Sequence, residues 1–179
     1  RKTIYPTSAD PIGLTNTGVY EIQYPNFWNR YFQLPQEAKE HPSNMVYVDT
    51  SQILTTFLLE TQEGEVEKSV VLARCYRVYL MNKWPVAERF TTYAEQAVFA
   101  RQEAKDEYGN WIPIELEIDA WCGNSYKTII LGKDEYLLSR TLVYTGDFET
   151  DLRLVVTGWG TSNTFRGKIN KEQLLYTEE

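Results

Sequence analysis

The chain has 179 residues, 42% of them hydrophobic, enough to bury one sizeable core and too many for a disordered chain. A net charge of −7 and a pI of about 4.9 exclude a broad basic footprint, so nucleic-acid backbones and anionic bilayers are disfavoured as partners. No apolar run approaches the ~20 residues of a membrane-spanning helix, so membrane insertion is not expected.

The chain opens Arg1-Lys2-Thr3-Ile4, with neither an initiator methionine nor an apolar signal region. It reads as a processed chain or as a piece of a larger one. The two cysteines, Cys75 and Cys122, form no C-x-x-C pair, and the single histidine, His41, lies far from both. The usual zinc patterns are therefore absent, and no metal or cofactor is expected. The cysteines read as two buried thiols, with a disulfide as the alternative. The sequence holds no Asn-x-Ser/Thr acceptor.

Residues 1–18 carry Pro6, Pro11, Gly13 and Gly18 among small polar residues, the chemistry of an arm or loop. A short strand is expected over Val19–Tyr24. Five aromatics then fall within Tyr24–Phe32, either a stacking platform for sugar rings or packing at a corner. Trp28 and Tyr31 are the ligand-binding candidates there. Pro35–Ser43 is a polar loop, and His41 has no Ser, Cys or Asp partner in view for catalysis. Met45–Glu60 and Val66–Trp84 are rich in β-branched and aromatic residues and predict strands, joined by a turn at Gln62–Glu65.

Residues 87–107 fit two readings. Phe90, Tyr93, Ala94, Ala97, Ala100 and Arg101 approach helical spacing, and Ala, Glu and Gln favour a helix. The turn signal Tyr108-Gly109-Asn110-Trp111, ahead of an evident strand, favours a hairpin instead. From Trp111 the alternation is clear: Ile112, Ile114, Leu116 and Ile118 on one face, and Glu115, Glu117 and Asp119 on the other. Pro113 places this strand at an edge or marks its beginning. Further strands are expected over Tyr126–Leu131 and Tyr136–Tyr144, with turns at Gly132–Glu135 and Gly146–Asp147. Leu152, Leu154 and Val156 alternate inward, and a last strand is expected over Phe165–Tyr176. Strands at roughly 8–12 residue intervals point to a sandwich or barrel. The fold class is thus mainly β, a jelly-roll-type β-sandwich over 19–179 behind an arm at 1–18, with one helix over 87–107 as the open alternative.

Three carboxylates, Glu115, Glu117 and Asp119, share one strand face with roughly 7 Å between neighbours. Glycoside cleavage uses two carboxyls at such separations. Glu117-Ile-Asp119 resembles the opening of the E-x-D-x-x-E motif of family 16 glycoside hydrolases, which are jelly-roll sandwiches. Cys122 stands where that motif carries its second glutamate, so the acid/base group is missing. A solvated strand face is the other reading of the same residues. Asp147, Glu149 and Asp151 supply oxygens of the kind calcium takes, but without a ligand spacing, and read as an acidic turn. Gly158-Trp159-Gly160 lacks the lysine and helix of a phosphate loop. Its glycines permit φ > 0 and either present Trp159 as a binding aromatic or fold it over the core.

The run Leu152–Gly158 followed by Ile169–Leu174 resembles the closing strands of jelly-roll carbohydrate-binding-like modules, found in glycan-acting enzymes and phage tail fibres. That resemblance covers about 30 residues and implies a non-catalytic structural or binding module. It would belong to a virion or cell-surface assembly, extracellular or virion-borne. Its partners would be glycans or protein subunits of the same assembly. The resemblance carries over no ligand residues; the ligand-binding candidates Trp159, Trp28 and Tyr31 rest on their own aromatic chemistry. The alternative is a jelly-roll glycoside hydrolase working through Glu117 and Asp119.

Overall fold

The structure is a computed structural model and describes residues 14–15, 45–61, 68–93, 97–98, 100–115 and 126–175. In chain order the strands are β1 (Leu14–Thr15), β2 (Val46–Thr61), β3 (Lys68–Met81), β4 (Glu88–Tyr93), β5 (Ala97–Val98), β6 (Ala100–Lys105), β7 (Trp111–Pro113), β8 (Tyr126–Leu131), β9 (Tyr136–Leu142), β10 (Tyr144–Thr145), β11 (Phe148–Val156), β12 (Gly160–Thr161) and β13 (Phe165–Ile169). A short 3-10 helix, Lys171–Leu175, follows. The protein is mainly β, as its alternating sequence implies. Apart from the short parallel pair β1–β10, its ladders are antiparallel.

Among the described residues, three antiparallel sheets surround the core. One runs β12-β11-β6-β7, with β13 also bonded to β11; the others are β2-β3-β9 and β5-β4-β8. The main core draws on all three: Val46, Val78 and Leu80; Phe90 and Leu131; Leu152, Leu154, Val156, Phe165 and Ile169. Their removal from water stabilises the fold by about 1.5–3 kcal/mol per large side chain. The arrangement is sandwich-like, with curled sheets that share one interior.

β11 shows how the sequence produces this. Its inward residues, Thr150, Leu152, Leu154 and Val156, are buried, while those between them are half-exposed. A one-residue slip would turn that apolar set to water. β13 pairs with its first half, Phe148↔Ile169 through Leu152↔Phe165, so β11 and β13 form the last antiparallel ladder of the described residues. The turn before β11 requires glycine. A Cβ at Gly146 would lie 2.1 Å from the Ile169 carbonyl carbon.

β3 changes its inward face partway along. Ala73 and Cys75 are in the main core, then Val78 and Leu80. The switch falls at Tyr76–Arg77, opposite a bulge in β2 where the register jumps from Asp49↔Arg77 to Ile53↔Tyr76. The Asp49 carboxylate accepts the Ser51 N–H (2.9 Å) inside this bulge. Beyond the switch the other face of the sheet packs Tyr79, Met81 and Tyr136 into a second cluster.

Several expectations are corrected. In 87–107 the described residues are strands β4, β5 and β6, so the helix alternative fails there. β6 lies between β11 and β7, and a helix would forfeit both ladders. The strand from Trp111 ends at Pro113; one further backbone bond, from the Ile114 N–H to the Gln102 carbonyl (3.0 Å), follows before the Glu115 carboxylate takes the Gln102 N–H in place of a ladder partner. The stretch Tyr136–Tyr144 breaks at Val143, whose N–H turns to the Arg74 carbonyl (2.9 Å). The last strand ends at Ile169, not Tyr176. The Gln173 side chain caps the Asn170 N–H (3.0 Å) and starts the 3-10 turn.

Candidate functional site

Glu115 is the one member of the candidate carboxylate set among the described residues, and it is not on a solvated face. It is only 6% exposed. Two residues past Pro113 the chain has left the ladder. The Glu115 carboxylate instead takes the Gln102 backbone N–H (2.7 Å), the Tyr144 hydroxyl (2.6 Å) and the Gln102 side-chain amide (3.3 Å). The same amide reaches the Thr141 hydroxyl and the Leu142 carbonyl, both at 2.8 Å. Burial pushes the Glu115 carboxyl above its ordinary value, and the bonds from Tyr144 and Gln102 oppose that rise. Cys75 is a free buried thiol beside this cluster. Burial drives it up to about 12, so it stays protonated; Arg140 lowers it and Glu115 adds to the rise. The carboxylate is held by internal donors and almost fully removed from solvent. It ties β6 and β10 to the segment after β7, and the Gln102 amide extends the network to β9.

A second buried polar residue does something different. Asn82, 0% exposed, directly follows β3. Its side-chain amide donates to the Val86 carbonyl and to the Leu131 carbonyl, each at 2.8 Å, and its side-chain oxygen accepts the Trp84 N–H (2.9 Å). Its own carbonyl takes the Asp134 N–H (2.8 Å), and its N–H reaches the Glu135 carbonyl (2.9 Å). The side chain thus fixes the loop Lys83–Ala87 and docks it on the end of β8, while the Asn82 backbone holds the turn at Gly132–Glu135. What the loop presents is apolar: Trp84 is 55% exposed and Val86 61%. Pro85 between them disfavours a helical turn at Trp84. Partial burial lowers Lys83 below its ordinary value.

Trp159 belongs to the same corner. The Trp84 indole N–H points at the Met45 sulfur (3.0 Å), and the Trp159 indole N–H at the Met45 carbonyl (3.4 Å). Trp159 is half-buried, packed on the core and edge-on to Phe90 with centroids 5.1 Å apart. Gly158, at φ 73°, makes the turn that lets the indole fold back. Trp84 is the aromatic that sequence reasoning passed over. The signal was present in Asn82-Lys-Trp-Pro-Val86, a Trp-Pro pair directly after a strand.

The other candidates fall elsewhere. Trp28, Tyr31, Glu117, Asp119, Cys122 and His41 lie outside the described residues. Glu149 and Asp151 pair with Arg166 at 3.3 and 3.0 Å, and Asp147 accepts the Lys171 N–H (3.4 Å), so the acidic turn is tied by hydrogen bonds and ion pairs. Among the described residues no group of three His, Cys, Asp or Glu is placed to hold a metal ion. A cleft of about 730 Å³ opens between Asp106–Tyr108, Asp147 and Asn170–Leu175. Much of its charged lining is engaged internally: Asp106 caps Tyr108 and Asn110, and Lys171 pairs with Glu107. On the outer face of β6 and β11, Arg153 binds Glu103 (2.6 Å) and stacks over Trp111 (4.3 Å).

Comparison with protein-family models, with curated proteins and with solved structures finds no match.

Proposed function

We propose that the chain is a non-catalytic binding and structural module of jelly-roll type, part of a virion or cell-surface assembly, that contacts a glycan or a neighbouring subunit. The observation that carries this reading is the Trp84-Pro85-Val86 loop, two exposed apolar residues held outward by a fully buried, fully engaged asparagine. Exposed tryptophans on a rigid frame lose little entropy on binding and supply most of the contact energy where they occur. An indole also offers a flat face to the apolar side of a sugar ring. The buried state of Glu115 supports the non-catalytic half of the reading.

The test combines glycan-array binding, sedimentation and hydrolysis assays on the full chain. Binding of a glycan or of a protein subunit that falls about tenfold or more in Trp84→Ala is the expected result. Turnover of a glycan would replace this reading with the hydrolase. A chain that binds no glycan and no protein would remove it.

A further inference from the structure

β9 leaves β3 at Cys75↔Leu142, while the β2–β3 ladder runs on through Leu54↔Cys75 and Thr55↔Arg74. Val143 turns its N–H to the Arg74 carbonyl, and the chain continues as β10 beside β13. A cavity of about 250 Å³ lies in this fork. Its walls come from β2 and β3 (Ile53, Arg74, Tyr76), β10 (Thr145), β11 (Leu152) and β13 (Lys168). A glycine helps to keep it hollow. The inward residues of β13 are Phe165, Gly167 and Ile169, and of these Gly167 lines the cavity. A Cβ there would stand 2.4 Å from Leu152 Cδ1, so Leu152 packs directly on the β13 backbone.

The charge of this cavity runs against that of the chain. The protein carries 25 acidic residues to 18 Lys and Arg. The lining nevertheless holds two cations, Arg74 and Lys168, and no carboxylate. Arg74 is half-buried. Other arginines have their counter-ions: Arg101 and Arg153 share Glu103, and Arg166 holds Glu149 and Asp151. The Arg74 guanidinium has none among the described residues. A charge drawn partly out of water without a partner is costly, and an anion in the cavity would supply the partner. Most of the remaining lining is apolar. Tyr76 is held edge-on to Phe165 (5.7 Å), and Ile53, 43% exposed, puts the cavity within reach of solvent. Tyr144 also lines the space, but its hydroxyl is spent on Glu115.

The geometry points to a binding site for a small carboxylate whose neutral body rests against Tyr76, Ile53 and Leu152. A guanidinium is a planar fork that meets a carboxylate in two parallel N–H···O bonds. Lys168 adds a second, more exposed cation. Phosphate sites converge several backbone N–H groups on one anion. Here the Val143 N–H is already bonded to Arg74, and recognition rests on one side-chain fork. The space takes a single sugar acid or a short aliphatic acid, since drug-sized ligands fill about 300 Å³ or more. The site shares no residue with the Trp84 loop and stands or falls apart from the proposed function.

The experiment follows amide NMR shifts of the full chain during titration with glucuronate and with hexanoate. Concentrations run to about 10 mM, enough to saturate a site of about 1 mM or tighter. Glucose and hexanol are the uncharged counterparts, and inorganic phosphate is the tetrahedral anion. Saturating shifts at Arg74, Tyr76 and Val143–Gly146 are expected with one acid or both, and none with the uncharged counterparts. Glucuronate ahead of hexanoate assigns a sugar acid to the site; the reverse order assigns an aliphatic acid. Arg74→Gln should weaken binding about tenfold or more. Arg74→Lys should weaken it less, because the charge stays and only the fork is lost. Shifts with neither acid, equal shifts with the uncharged counterparts, tighter binding of phosphate, or binding that Arg74→Gln leaves intact each overturn the site. The comparison with glucose and hexanol needs only the wild type, so it decides the matter even if Arg74→Gln misfolds. Glycan binding through Trp84 with no acid bound beside Arg74 would remove this site and leave the proposed function standing.

Discussion

Glu115 and Asn82 are both buried polar side chains placed just after a strand, and both satisfy neighbouring groups across sheets. They differ in what they hold. Glu115 collects a backbone N–H, a hydroxyl and an amide, and draws its own segment inward. Asn82 spends both amide hydrogens and its oxygen on backbone groups, and the segment it secures faces outward with Trp84 and Val86. An amide can donate and accept at once, so it fits the mixed needs of a loop's backbone. A carboxylate only accepts when ionised, so it suits a cluster of converging donors. The difference separates a structural node from a presenting one, and each node is testable on those terms.

Glu115→Ala should have the larger effect. It strands the Tyr144 hydroxyl and the Gln102 N–H in an apolar interior, and each unsatisfied buried donor costs about 1–3 kcal/mol. A loss of about 3 kcal/mol in urea denaturation, with an unchanged slope, is expected. A loss well below 1 kcal/mol would mean the network is not the tie described here. The pH dependence sharpens the same point. Burial raises the folded carboxyl above its ordinary value of 4.5. In the window above that value the unfolded chain has released the proton while the folded chain still holds it. Stability therefore falls as pH rises from the ordinary glutamate range through the folded value. Denaturation midpoints of the wild type should decline relative to Glu115→Gln across that window. A wild type that gains on the variant with rising pH would mean that its donors outweigh burial.

Asn82→Ala comes next. It releases the Val86 and Leu131 carbonyls and the Trp84 N–H, but Val86 and Trp84 lie at the surface, where water replaces the lost bonds. The expected loss is about 2 kcal/mol, mostly from the Leu131 side. The loop should loosen: Trp84 amide exchange accelerates, and binding through the loop weakens even though Trp84 is intact. Unchanged exchange at Trp84 would separate the loop's order from Asn82 and break the contrast with Glu115.

How far these nodes were legible in the sequence follows from their chemistry. β11 announces itself because Leu152, Leu154 and Val156 alternate with polar residues. β6 does not. Its buried residues are Gln102, Glu103 and Ala104, helix-compatible types that tertiary pairing with β11 and β7 overrides. Glu115 continues the alternation begun at Ile112, and nothing local shows that the ladder ends past Ile114 and that the carboxylate turns under the sheet. Its partners, Gln102 and Tyr144, stand 13 and 29 residues away. Asn82 is equally silent, since the Leu131 carbonyl is 49 residues distant. Trp84-Pro85 was readable as a local signal, but its exposure depends on that distant bond. The residues that set fold class are periodic and local; those that build the two buried polar nodes act through contacts between remote segments.

Trp84→Ala is the smallest expected effect on stability and the most telling for function. Trp84 lies outside the core, and its ring's one described polar contact is the indole N–H to the Met45 sulfur. Truncation at an exposed site away from caps and networks shifts stability by about 0.5 kcal/mol or less. Trp159→Ala is the matched comparison, because that indole covers the core beside Phe90, and its removal should cost about 2 kcal/mol. If both tryptophans destabilise alike, the Trp84 loop is packing and not a presented surface. If Trp84→Ala is neutral in denaturation yet loses binding, the exposure of its ring is explained by the partner it meets rather than by the fold.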